Sequence, residues 1–359
     1  MMIVMPHAAP SGVPLPPRSA EQRLITYTSG EVRCEGSAVV PVWREPVVPN
    51  AGYIGSSRDP DMAPLAIAFR IDAQGRPLAI HPQNATAAAR QPNDVTAALA
   101  VWRFPAGHSL RGCTVTFVPQ AYRPDAAPQI EAMRYAALPN MTGGRGINVW
   151  RSFALPDSNC DDVRPTRLTT VYPDFARIDQ VPGRLSVSFY RFDVDRRGVP
   201  EQVSLMDSTG NEELNRAGAK ALKQWRFTKA QAYRGCRYFF WRGRTPQLAA
   251  PDLPETLIAS AATCPKMGDW TYLPALADYF PPAFNRRGIE GWAVVRFDAA
   301  PWGQTGNVEV VASEPASAFG EAAKRLVAQA RLPQSDALRV GCVERVRFKM
   351  PDREAGGPD

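Results

Sequence analysis

The chain reads Trp225-Arg226-Phe227, then Gly235-Cys236, then the aromatic run Tyr238-Phe239-Phe240-Trp241, and this passage has two counterparts. One is Trp102-Arg103-Phe104, Gly112-Cys113 and the apolar stretch Thr114-Val115-Thr116-Phe117-Val118. The other is more divergent: Ala330-Arg331-Leu332, Gly341-Cys342 and the run from Val343 to Phe348. That last run alternates, with Val346 and Phe348 on one face and Arg345 and Arg347 on the other, which is the pattern of a half-buried strand. Fixed spacing repeated along a chain is the mark of a recurring structural unit.

Working back from each triplet, a helix is expected. Leu214, Ala217, Ala221, Leu222 and Trp225 fall on one stripe at helical spacing, as do Val95, Ala98, Leu99 and Trp102. Phe319, Ala322, Ala323, Leu326 and Ala330 form the third stripe. Asn93 and Asn211 stand where N-caps are expected. Further back lie strands ending in Arg70-Ile71-Asp72, Arg191-Phe192-Asp193 and Arg296-Phe297-Asp298. Turns follow at Gly75, at Gly198, and at Gly303 with Gly306; second strands such as Val203–Met206 and Val308–Val311 come next. Each unit therefore reads strand, hairpin, strand, helix, strand.

Six cysteines, at 34, 113, 160, 236, 264 and 342, fall into pairs separated by 79, 76 and 78 residues. A zinc site needs closer Cys or His spacing, and no C-x-x-C occurs. Buried free thiols and one disulfide per unit remain; the disulfide reading, Cys34–Cys113, Cys160–Cys236 and Cys264–Cys342, fits best and implies an oxidising compartment. The expected organisation is a Pro-rich tail at 1–23, module 1 at 24–120, a linker at 121–146, module 2 at 147–243, a linker at 244–254, module 3 at 255–350 and a tail at 351–359.

Module 2 carries a family resemblance. Tyr172-Pro173 precede Gly183 and the strand Val187–Asp193; Gly198-Val199, Ser208-Thr209-Gly210, Leu214-Asn215, Ala221-Leu222 and Trp225-Arg226-Phe227 follow. Module 3 keeps Tyr279-Phe280-Pro281 and Gly291–Asp298. This order resembles the C-terminal domain of TonB-type energy transducers. The resemblance implies an α+β fold, three tandem modules each with a small antiparallel sheet and a helix packed on one face. It implies a periplasmic location and a non-enzymatic role in transmembrane transport. The partner would be a periplasmic or outer-membrane protein segment, bound by addition of a strand to a sheet edge. Unlike TonB, the sequence shows no membrane helix and no long Pro-rich spacer.

Composition agrees with a globular binding protein. Formal net charge is +7, and between Arg184 and Arg244 there are 13 Lys or Arg against 6 Asp or Glu. That basic stretch makes peptidoglycan or another anionic polymer the alternative partner, through Arg196, Arg197 and Lys223. Tyr172 and Pro173 are the other candidate contacts. No Lys/Arg-only run points to nucleic acid, and no apolar stretch is long enough for a membrane span. The start, Met1-Met2-Ile3-Val4-Met5, is too short for a signal core, so an export signal is expected upstream or already clipped. Asp193-x-Asp195-x-x-Gly198 lacks the later ligands of a calcium loop and reads as a hairpin turn. No nucleophile, metalloprotease or phosphate-loop motif occurs, so neither catalysis, metal nor cofactor is expected.

Overall fold

The computed structural model describes residues 21–54, 63–84, 94–123, 126–137, 157–160, 165–229, 231–242, 246–258, 264 and 270–351. Module 2 has β9 (Val187–Val194), β10 (Pro200–Ser208), α3 (Glu212–Lys223), the short β11 (Arg226–Phe227) and β12 (Tyr233–Trp241). Its antiparallel sheet has the order β10-β9-β12. Module 3 repeats that order with β14 (Thr305–Glu314), β13 (Gly291–Ala299) and β15 (Arg339–Phe348), and α4 (Ser317–Gln329) in the place of α3. In module 1, β6 (Pro77–Pro82) and β7 (Leu110–Tyr122) flank β5 (Leu65–Ile71) in the same way, and α1 (Val95–Val101) precedes β7.

The register fixes the equivalences. Phe69 pairs with Cys113, Phe192 aligns with Cys236, and Phe297 with Cys342. Asp193 and Asp298 are therefore equivalent, each accepting a bond from the glycine before the cysteine. Their counterpart in module 1 is Arg70, so the Arg70-Ile71-Asp72 triplet of the sequence is displaced by two residues. Asp72 instead matches Asp195: each carboxylate accepts the backbone N–H groups two and four residues on and closes the hairpin turn. The sheet's period of two keeps both choices on one face, which is why the pattern misled.

The turn glycines have no freedom to change. Gly75, Gly198 and Gly303 have φ of +74°, +80° and +88°. Each carbonyl accepts the N–H of Phe104, Phe227 or Leu332, a residue 29 positions later. Four residues after each glycine, Ala79, Gln202 and Asn307 also take positive φ, 52°, 52° and 49°, where the second strand bulges.

The helices form for the reasons the stripes suggest. Leu214, Ala221 and Leu222 are buried on the sheet, and Asn211 caps α3 by accepting the Leu214 N–H at 3.0 Å. Asn93 lies outside the described residues; the residue before α1 is Asp94, whose side chain makes no cap bond. The triplet arginine recurs because it closes the helix. Arg103, Arg226 and Arg331 each donate to carbonyls at the helix end.

The segment 121–146 is not a plain linker. β7 runs on to Tyr122, and α2 (Gln129–Ala137) sets Tyr135 and Ala132 against Leu24 of module 1. Met133 and Ala137 of α2 cover Val187 and Phe189, on the sheet face of module 2. Modules 1 and 3 share one continuous core in which Ile80, Val101 and Phe104 join Phe284, Phe319 and Phe348. Ile80 bridges to Ala316, and Arg70 pairs with Glu314 at 2.8 Å.

The cysteines are bonded as 34–113, 160–236 and 264–342. Each link ties the segment leading into a module to its last strand. A Cys160→Ser, Cys236→Ser variant should lose about 4 kcal/mol of stability, the chain-entropy value for so long a loop. Urea unfolding followed by Trp225 fluorescence measures this; a loss below about 1 kcal/mol would mean the loop is restrained by other contacts.

Candidate functional site: the outer edges of the sheets and the basic end of module 2

In module 1 the outer edge of β7 is already filled. β1 (Glu21–Ser29) lies antiparallel along it, from Leu24 opposite Tyr122 to Ser29 opposite Phe117. Gly30 donates to the Thr116 carbonyl, and β2 (Arg33–Cys34) continues to Cys34 opposite Cys113. β3 (Ser37–Ala38) pairs with β2, and β4 (Asn50–Ile54) pairs with β1, to complete a seven-stranded sheet. An extended segment of the chain is thus added to the last strand of a module.

The other two modules present that edge differently. In module 2 Asn159 bonds to the backbone of Arg234, and Ser158 to that of Gly235, at the start of β12. In module 3 the 3-10 turn Glu255–Ile258 lies against β15 without pairing. Among the described residues no strand pairs with the outer edge of β12 or β15.

The candidate residues fall into two groups. Tyr172 is 56% exposed, its ring edge-on to Phe240 at 6.3 Å, whereas Pro173 is buried. They follow Val171, whose carbonyl accepts the Trp225 indole N–H at 2.7 Å. In module 1 Trp102 donates in the same way to the Glu45 carbonyl. The recurring Trp is therefore core that also anchors the chain leading into the sheet. Burial pushes the Tyr238 hydroxyl up, and the Arg167 guanidinium lies 5.4 Å from that ring and 5.1 Å from Trp225.

Arg196 and Arg197 lie in the hairpin turn of module 2, and Lys223 is the last residue of α3. Phe227 N–H bonds to Gly198 O, and Arg226 reaches back to Lys223 O, so turn and helix end are held together. Sequence reasoning missed β8 (Arg167–Thr169), which pairs with β11 at this end and is exposed along its length. Its signal, Thr-Arg-Leu-Thr-Thr, is a short polar stretch with one apolar residue and carries no pattern. No group of three metal-ligating side chains occurs among the described residues, and none of their helices is long and apolar enough to cross a membrane.

A twisted three-stranded sheet with one helix on one face, opened by an aromatic-proline lead-in, defines modules 2 and 3 as a small class of α+β domain. Residues 169–235 and 277–350 match the family described as the Gram-negative bacterial TonB protein C-terminal, which makes these two segments two copies of that domain. Module 1 lies outside both matched segments. No curated protein matches the chain.

Proposed function

We propose that this protein is a non-enzymatic, periplasmic TonB-like binding protein. It takes up an extended segment of a periplasmic or outer-membrane protein as an added strand, in the service of TonB-dependent transport. The three modules, 24–120, 147–243 and 255–350, are divergent copies of one unit. The observation that carries this reading is the filled edge of β7. There, residues 24–29 and 33–34 pair as two strand segments with the module's last strand, held by Cys34–Cys113. Strand addition needs main-chain bonds along an edge and side-chain pockets beside it. β12 offers the unpaired edge, and the exposed Tyr172 ring lies against its Phe240.

The test is an array of periplasm-facing segments from outer-membrane receptors, probed with the whole protein, followed by hydrogen exchange on the retained pairs. A bound segment should slow exchange of amides in β12 or β15 at least about tenfold, as a newly paired strand does. No retained segment, or retention that leaves both edges exchanging as before, would overturn the reading.

A further inference from the structure

The three modules serve as controls for one another, and they separate what the fold requires from what it does not. Turn glycine, triplet arginine and the apolar stripe recur because they build the unit. The cations at one end of module 2 do not recur. Arg196, Lys220, Lys223 and Lys229 are all exposed. Their counterparts in module 1 are Ala73, Ala97, Ala100 and Ala106, and in module 3 Pro301, Arg325, Ala328 and Gln334. Only one of those eight is charged, so the fold closes its hairpin and ends its helix without them.

These four cations stand on adjoining segments of the chain. Arg196 sits in the turn that Gly198 joins to Phe227; Lys220 and Lys223 occupy the last turn of α3. Lys229 follows Thr228, which bonds to Thr166 at the start of β8. Among the described residues no carboxylate pairs with any of them. The nearby acids are engaged: Asp195 holds Arg197 at 2.9 Å and two backbone N–H groups, and Asp193 holds the Gly235 N–H. A field of one sign, with no carboxylate paired to it among the described residues, draws an opposite charge from outside.

The same end has features that fit a polypeptide. β8 is the outer strand of a two-stranded sheet, and among the described residues nothing pairs with its far side. Leu168, at its centre, is 65% exposed, and Arg167 is held in place over Trp225. A polymer of sugars has no use for an open main-chain edge beside an exposed Leu; an extended peptide uses both. We propose that this end of module 2 is a docking surface for an acidic, extended polypeptide segment. Its backbone would add to β8, an apolar residue would cover Leu168, and its carboxylates would face Arg196, Lys220, Lys223 and Lys229. This surface is distinct from the outer edge of β12 and does not depend on strand addition there.

The probe is a fluorescent peptide of alternating Glu and Val, titrated against the whole protein by anisotropy. Binding should be saturable at low ionic strength and weaken as salt rises. The triple variant Arg196→Glu, Lys223→Glu, Lys229→Glu should weaken it by at least about tenfold, while Lys324→Glu, Arg325→Glu, Lys349→Glu, the same charge change on module 3, should weaken it by less than about twofold. Leu168→Pro should weaken it without changing the salt dependence. All these positions are exposed, and thermal melts confirm that the variants fold. Equal weakening by both triple variants would mean net charge alone, and would overturn the proposal. So would retention by cell-wall sacculi with no saturable binding of the peptide.

Discussion

Replacing Gly198 by alanine should destabilise module 2 by ~3 kcal/mol or more, among the largest effects of adding one methyl group to this chain. A Cβ at that position would stand 2.1 Å from the Phe227 carbonyl oxygen, where no side chain has room to move because the obstacle is backbone. The φ of +80° adds strain, since L-residues reach that region at a cost. The damage should spread, because Phe227 rests against Trp225 and Phe192, so shifting the Gly198–Phe227 pairing displaces the aromatic core. Gly306 is the matched control: nothing lies within 4 Å of the Cβ it would gain, and its φ is unexceptional. Gly306→Ala should leave stability within about 0.5 kcal/mol of the parent or raise it slightly, by reducing the freedom of the unfolded chain. Denaturant unfolding of the two variants side by side settles the point; similar midpoints would show that the tight turn can relax.

The fixed 29-residue step from glycine to the third residue of the triplet recurs in all three modules, and it marks a contact between turn and helix end. The distances from the strand-ending Asp to the Trp position, 30, 32 and 32 residues, contained the correct alignment as well. Moving the module 1 position from Asp72 to Arg70 makes all three equal. The Asp pattern was misread because residues two apart share a sheet face and both positions favour polar side chains. The disulfide pairing was legible because each bond lies within one unit. Contacts between units were not. The shared core of modules 1 and 3 joins stripes that each look complete alone, and α2 was hidden by the prolines on either side of it. Of the candidate contact residues, Arg196 and Arg197 lie in the hairpin turn that Gly198 joins to Phe227 and Lys223 ends α3, whereas Tyr172 lies against Phe240 of β12. β8, three exposed residues, left no periodicity to find.

The least legible feature carries the last large effect. Arg287→Ala should lose ~3–5 kcal/mol, the cost of leaving buried carboxylates without their counter-charge. Arg287 is fully buried; it donates to Asp94 through Nε at 2.7 Å and through a second nitrogen, to Glu45 at 3.0 Å, and to the Pro46 carbonyl at 2.9 Å. Glu45 also accepts the Leu185 N–H at 2.9 Å and the Trp43 indole at 3.2 Å. One cluster thus joins module 1, through Glu45 and Asp94, to module 3, through Arg287, and to the backbone of module 2. Burial pushes the Glu45 carboxyl above the ordinary glutamate value of 4.5, against the pull of Arg287. Burial also opposes the charge on Arg287, but Asp94 and Glu45 outweigh it and hold its pKa above the ordinary arginine value. Without Arg287 the Glu45 pKa rises further. A carboxyl with a raised folded-state pKa keeps its proton in the native state longer than in the unfolded one, so its stabilising share is present at low pH and is lost as pH rises. The deficit of Arg287→Ala should therefore be larger at neutral pH than near pH ~4, where an ordinary glutamate is largely protonated. Combining Arg287→Met with Glu45→Gln and Asp94→Asn removes the buried charges together and should recover much of the loss. Unfolding curves at both pH values decide: a deficit that does not change with pH, or a triple variant no better than Arg287→Ala, would mean that packing and not charge joins the modules here.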